Sequence, residues 1–114
     1  MTDFNELLGK TLTDIIGLND VSDTVIFECS DNTKYRMWHS QRCCESVDIE
    51  SVVGDVSDLI GSPILIAEES KKETELFTWT FYKLATIKGY VDIRWYGTSN
   101  GNYSESVDFE RIKK

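Results

Sequence analysis

Polar and apolar positions alternate along most of this chain, and the alternation breaks at turn-forming residues. Thr24–Cys29 is rich in β-branched and aromatic side chains, Ser30-Asp31-Asn32 is a turn signal, and Lys34–His39 resumes the pattern, so the three read as a hairpin. Ser40-Gln41-Arg42 predicts a second short turn. Cys43–Glu50 then places Val47 and Ile49 on one face and Ser46, Asp48 and Glu50 on the other. Upstream, Asp3–Gly9 reads as a single helical turn with Asp3 as cap and Glu6 at the capping-box spacing, and Thr11–Leu18 as a first strand. Downstream, Val52, Val53, Val56, Leu59 and Ile60 recur at helical spacing, so Ser51–Ile60 predicts a short helix stopped by Gly61-Ser62-Pro63. Ile64–Ala67 reads as a short buried strand and Glu68–Glu75 as a charged loop. Leu76–Ile87 is a long strand, Lys88-Gly89 a tight turn and Tyr90–Tyr96 its return. Asn100-Gly101 signals a type I′ hairpin, with Tyr103–Ile112 as the last strand.

The segment Glu45-Ser46-Val47-Asp48-Ile49-Glu50 recurs as Glu105-Ser106-Val107-Asp108-Phe109-Glu110. Arg36-Met37-Trp38-His39 precedes the first copy and Arg94-Trp95-Tyr96-Gly97 the second. Each half therefore reads as a three-strand meander, Thr24–Glu50 and Leu76–Glu110, and the predicted helix and short strand join them. The expected class is α+β, predominantly antiparallel β, with the meanders forming one sheet or a small barrel in a single domain over residues 1–114.

A chain of 114 residues with 40% hydrophobic positions buries enough surface to fold unaided. Its net charge of −8 disfavours direct nucleic-acid binding, which rests on Lys and Arg neutralising phosphates. The same charge suits either a solubilising surface or an acidic mimic that occupies a basic groove of another protein. Of the three cysteines, Cys43 and Cys44 are adjacent, and neighbouring strand residues point to opposite faces. Free thiols in a reducing cytoplasm follow, since Met1–Lys10 has no secretory pattern. No apolar run approaches a membrane span. An exposed edge strand would be compatible with a homodimer.

Strand parity predicts that one end of the domain gathers His39, Cys43, Glu45, Trp95, Tyr103 and Glu105. His39, Cys43, Cys44 and Glu45 are zinc-ligand types, yet no second His or Cys pair completes a site; the alternative is a lone histidine bonded to a carboxylate beside buried thiols. A Cys–His nucleophile with Glu45 as orienter lacks the electropositive surroundings that activate a thiol. A paired-carboxylate hydrolase built on Glu45 and Glu105 is a further alternative. Outward parity places Arg36, Trp38, Arg94 and Tyr96 on one shared face, where rings can sandwich a planar ligand and guanidinium groups can hold its anionic group. No phosphate-binding loop, nucleophile elbow or zinc-protease motif is present. No catalytic residue, metal or cofactor is expected.

The run Met37-Trp38-His39-Ser40-Gln41-Arg42-Cys43-Cys44-Glu45-Ser46-Val47-Asp48-Ile49, with Gly54-Asp55 and Gly61-Ser62-Pro63-Ile64-Leu65 after it, resembles a family of small uncharacterised bacteriophage proteins. The resemblance implies a phage origin and residence in a host bacterial cytoplasm, and carries no catalytic residues over. The resulting expectation is a non-enzymatic binding protein that counters a host defence by sequestering a small nucleotide-like signal. The expected ligand site comprises Arg36, Trp38, His39, Glu45, Arg94, Tyr96 and Tyr103. The alternatives are an inhibitor that covers a host defence protein with its acidic surface, then a metal-binding or Cys/His enzyme.

Overall fold

A computed structural model describes residues 2–19, 22–41, 44–99 and 104–112. Among the described residues eight strands form two four-stranded antiparallel sheets. Sheet I holds β1 (Leu12–Ile16), β2 (Thr24–Cys29), β3 (Lys34–Trp38) and β8 (Asp108–Ile112), in the order β1-β2-β3-β8. Sheet II holds β4 (Ser46–Val53), β5 (Ile66–Glu73), β6 (Phe77–Thr86) and β7 (Gly89–Thr98), in the order β4-β7-β6-β5. Among the described residues the only helical elements are two 3-10 turns, Phe4–Leu7 and Val56–Leu59. Among the described residues no helix is long and apolar enough to cross a membrane.

The alternation creates one core between the sheets. Tyr35 and Met37 from β3, Ile49 from β4, Tyr82 and Leu84 from β6, and Ile93 and Trp95 from β7 are all buried there. Phe4 plugs one side, with its ring 4.7 Å from Tyr82 and 5.2 Å from Phe109. Burying large apolar side chains contributes roughly 1.5–3 kcal/mol each, the main force that holds the sheets together.

The two hairpins β2–β3 and β6–β7 form as expected. The meanders do not close, because each third strand leaves for the opposite sheet: β4 pairs with β7, and β8 pairs with β3. The structure is neither one continuous sheet nor a barrel. Exchanging β1 with β5, β2 with β6, β3 with β7 and β4 with β8 turns the order of one sheet into that of the other. The registers obey the same exchange. Met37 opposes Phe109 where Trp95 opposes Ile49, and Trp38 opposes Asp108 where Tyr96 opposes Asp48. The equivalent core residues Met37 and Trp95 meet at the centre, the indole Nε1 donating to Sδ at 3.2 Å. The near-repeat is thus a structural pseudo-twofold with swapped fourth strands.

Three local expectations fail for tertiary reasons. The apolar residues of Ser51–Val53 extend β4 instead of starting a helix, since Val52 and Val53 pair with Ile93 and Asp92 beyond a bulge at Ile49/Ser51. The strand ends at Gly54, whose φ of +116° and contact with the Tyr90 carbonyl leave no room for a side chain. The charged stretch after Ala67 is no loop but the edge strand β5, exposed from Glu68 to Glu73, and its charges guard an open edge. The last strand begins at Asp108 rather than Tyr103. The Asn100-Gly101 hairpin signal lies outside the described residues. Cys29 is a free buried thiol, but Cys44 is disulfide-bonded, contrary to the expectation of free thiols; it sits in a bend, where strand parity does not apply.

Candidate functional site

Strand β6 alternates two sets of β-forming side chains, and both contain rings. Thr78, Thr80, Tyr82 and Leu84 turn inward, which leaves Phe77, Trp79, Phe81 and Lys83 on the outer surface of sheet II. Cross-strand pairing sets Tyr96 beside Trp79, Arg94 beside Phe81 and Asp92 beside Lys83. On the flanks, Ser51 and Val53 from β4 and Glu68 and Ser70 from β5 complete the rows. The bulge in β4 adds twist, and the curved surface holds a trough of about 450 Å³ over Phe81, Lys83, Asp92 and Arg94.

Next to the trough lies an aromatic ladder. Trp79 stacks on Phe81 at 6.5 Å and meets Tyr96 at 4.4 Å, and Tyr96 meets Phe77 at 6.1 Å. The Arg94 guanidinium lies 5.1 Å from the Trp79 ring and is ion-paired with Glu50. Beneath the floor, the Tyr82 hydroxyl donates to Glu69 at 3.0 Å, and burial, with the Glu69 charge second, pushes the phenol far above its ordinary range. Tyr82 is therefore a fixed neutral donor. Phe81 and Tyr90 expose apolar ring surface, while Lys83, Arg94, Asp92 and Glu68 offer both signs of charge.

The buried polar centre lies elsewhere. His39 Nε2 is 2.8 Å from Glu45 Oε2, and the two side chains are 3% and 0% exposed. His39 Nδ1 is 2.7 Å from the Ser106 carbonyl oxygen, which only accepts, so Nδ1 carries a hydrogen. One further hydrogen joins Nε2 to the carboxyl oxygen, and the pair has no net charge whichever atom holds it. This dyad ties the chain leaving β3 to both repeat segments. With both ring nitrogens engaged, His39 is a positioned core group rather than a ligand in waiting. No three His, Cys, Asp or Glu side chains converge as metal ligands among the described residues.

The expected site residues therefore divide into three places. Arg36 and Trp38 lie on sheet I, the guanidinium 3.6 Å from the ring centroid, facing Glu110 and Asp108 across the strand pair. Arg94 and Tyr96 occupy the equivalent positions on sheet II. The shared outer face does not form, because the pseudo-twofold carries the two pairs onto different sheets. His39 and Glu45 are interior, and Trp95 is fully buried. Tyr103, Arg42 and Cys43 lie outside the described residues. Phe81, Lys83 and Asp92 were not singled out from the sequence; their signal was the alternation of β6 and β7, which does not say which of two ring-bearing sets faces out.

The fold and the trough define a β-sandwich of two exchanged halves with an aromatic outer surface. The model of a protein family described as a domain of unknown function (DUF7448) matches residues 5–109, and the chain belongs to that family. No curated protein and no solved structure matches significantly.

Proposed function

We propose that this protein is a non-enzymatic binding protein whose sheet II trough takes a small ligand that combines a planar ring with an anionic group. The observation that carries the reading is the Trp79–Phe81–Tyr96 ladder running into a trough of about 450 Å³ that also holds Arg94 and Lys83. Rings on the floor stack with a planar ligand, and the two cations receive its charge. In the setting that the phage resemblance implies, the protein sequesters a nucleotide-like signal of a host defence in the bacterial cytoplasm. Arg94 and Tyr96 belong to this site; Arg36 and Trp38 lie on the other sheet and are not part of it.

The test is a thermal-shift and tryptophan-fluorescence screen against a nucleotide panel, with Phe81→Ala and Arg94→Gln as comparison proteins. A ligand at a hundred times its Kd stabilises the fold by about 2.7 kcal/mol and raises Tm, and both variants lose most of that gain. A panel without any shift, beside capture of one host protein that Phe81→Ala abolishes, would replace this reading with that of a protein inhibitor.

A further inference from the structure

We propose that the inner-face end of sheet II, at Glu105, is a binding site for a positively charged nitrogen group of the ammonium or imidazolium type. The site lies on the opposite side of sheet II from the trough and does not rest on the function proposed for it.

The pseudo-twofold supplies the argument. Glu45 and Glu105 begin the two copies of the repeat and occupy equivalent places, and both are buried. Glu45 is met by His39, whose ring nitrogen Nε2 lies 2.8 Å from its carboxyl oxygen. The position equivalent to His39 is Gly97. A Cβ there would stand 2.9 Å from both Glu105 Cβ and Val47 Cγ2, and 3.2 Å from the Glu105 carbonyl oxygen, so the chain cannot supply an imidazole from this point. Glu105 Oε1 accepts from the Thr78 hydroxyl at 2.8 Å, while Oε2 is buried without a hydrogen-bond partner in the protein. A buried carboxyl oxygen without a partner destabilises the fold, more so when charged, and a nitrogen cation removes that penalty with a charge-assisted bond.

The surroundings suit such a group. A cavity of about 250 Å³ beside Glu105 is lined by Thr78, Ser104 and Ser106, with Glu73 and Glu75 toward solvent. The carboxylates only accept, and each hydroxyl oxygen keeps acceptor capacity beside the bonds Thr78 makes to Glu105 and Ser104 and Ser106 make to each other. The cation among the described lining residues, Lys71, is 42% exposed and paired with Glu73 at 3.3 Å. A calcium or magnesium ion wants several converging oxygen ligands, and no three acidic side chains converge among the described residues. A protonated nitrogen needs one carboxylate and a few hydroxyl acceptors, which is what stands here.

The full chain is titrated with imidazolium chloride near pH 6 and with methylammonium chloride, using sodium chloride at matched ionic strength as the control. Calorimetry gives the affinity, and amide NMR shifts give the location. The proposal expects saturable one-site binding with the largest shifts at Thr78 and Ser106, at least about tenfold weaker in Glu105→Gln and undiminished in Lys71→Met. It is overturned if no nitrogen cation binds above the sodium control, if Glu105→Gln binds as the parent does, or if calcium binds at one equivalent in preference. The shift map of the parent decides the matter even if Glu105→Gln folds poorly: shifts remote from Thr78 and Ser106 would also overturn it.

Discussion

Replacing His39 with alanine is the sharpest probe of how the exchanged halves hold together. His39 follows β3 of sheet I, Glu45 precedes β4 of sheet II, and Ser106, whose carbonyl oxygen accepts from Nδ1, precedes β8. The side chains of the dyad are 3% and 0% exposed, so solvent screens the contact little. Attraction between such groups is offset largely by their desolvation, but removing one partner strands the other. Breaking a buried pair in this way costs about 3–5 kcal/mol. For a domain of this size that corresponds to a fall in Tm of about 12–20 °C, at roughly 4 °C per kcal/mol. The assay is urea unfolding followed by the fluorescence of the buried Trp95, with Glu45→Ala and the double variant completing a cycle. Because the double variant leaves neither member of the dyad facing a lost partner, it should cost less than the sum of the two single changes by at least about 2 kcal/mol. A His39→Ala cost below about 1 kcal/mol, or strictly additive single costs, would show that the dyad does not hold the exchanged strands, which then rest on their backbone ladders and apolar contacts.

Three further outcomes follow from individual contacts. Gly97→Ala places a methyl group against Glu105 Cβ and Val47 Cγ2 at 2.9 Å, and overpacking of that kind should cost about 1–3 kcal/mol, read as a lower urea midpoint. The Lys10 ammonium, then Thr33, hold the Asp31 carboxyl well below its ordinary range. A depressed carboxylate stabilises the fold above its unfolded pKa and loses that contribution as pH falls through the folded value. Stability should therefore decline below about pH 4, and Asp31→Asn should flatten this acid limb while leaving the slope above pH 5 unchanged. Burial pushes the Cys29 thiol up, so at neutral pH it should react with a thiol reagent far more slowly in the folded protein than in urea; equal rates would contradict its placement in the core.

Much of the strand framework was legible because a half-buried strand writes its burial into the sequence with a period of two. Tyr35 and Met37, Val47 and Ile49, and the two hairpins all follow from that rule. Edge strand β5 was not legible, because neither face of Glu68–Glu73 is buried and no alternation is imposed on it. The valines after Ser51 satisfied a helical spacing and a strand at once, and only the ladder to β7 chose between them. The candidate trough was half visible. Strand parity turns Arg94 and Tyr96 outward, but Phe81 and Lys83 share β6 with an equally strand-like inner set.

The sequence by itself determined that the chain is β-rich, that its repeat segments are equivalent, and which side of most strands is buried, since each of these is a local matter of side-chain character and parity. Only the tertiary structure decided which strand lies beside which. Backbone hydrogen bonds carry no residue code, so nothing in Glu45–Glu50 or Glu105–Glu110 states that each pairs with the other half. That exchange separates Arg36 and Trp38 from Arg94 and Tyr96, sets His39 against Glu45 in the interior, and leaves Glu105 with a glycine where its counterpart has an imidazole.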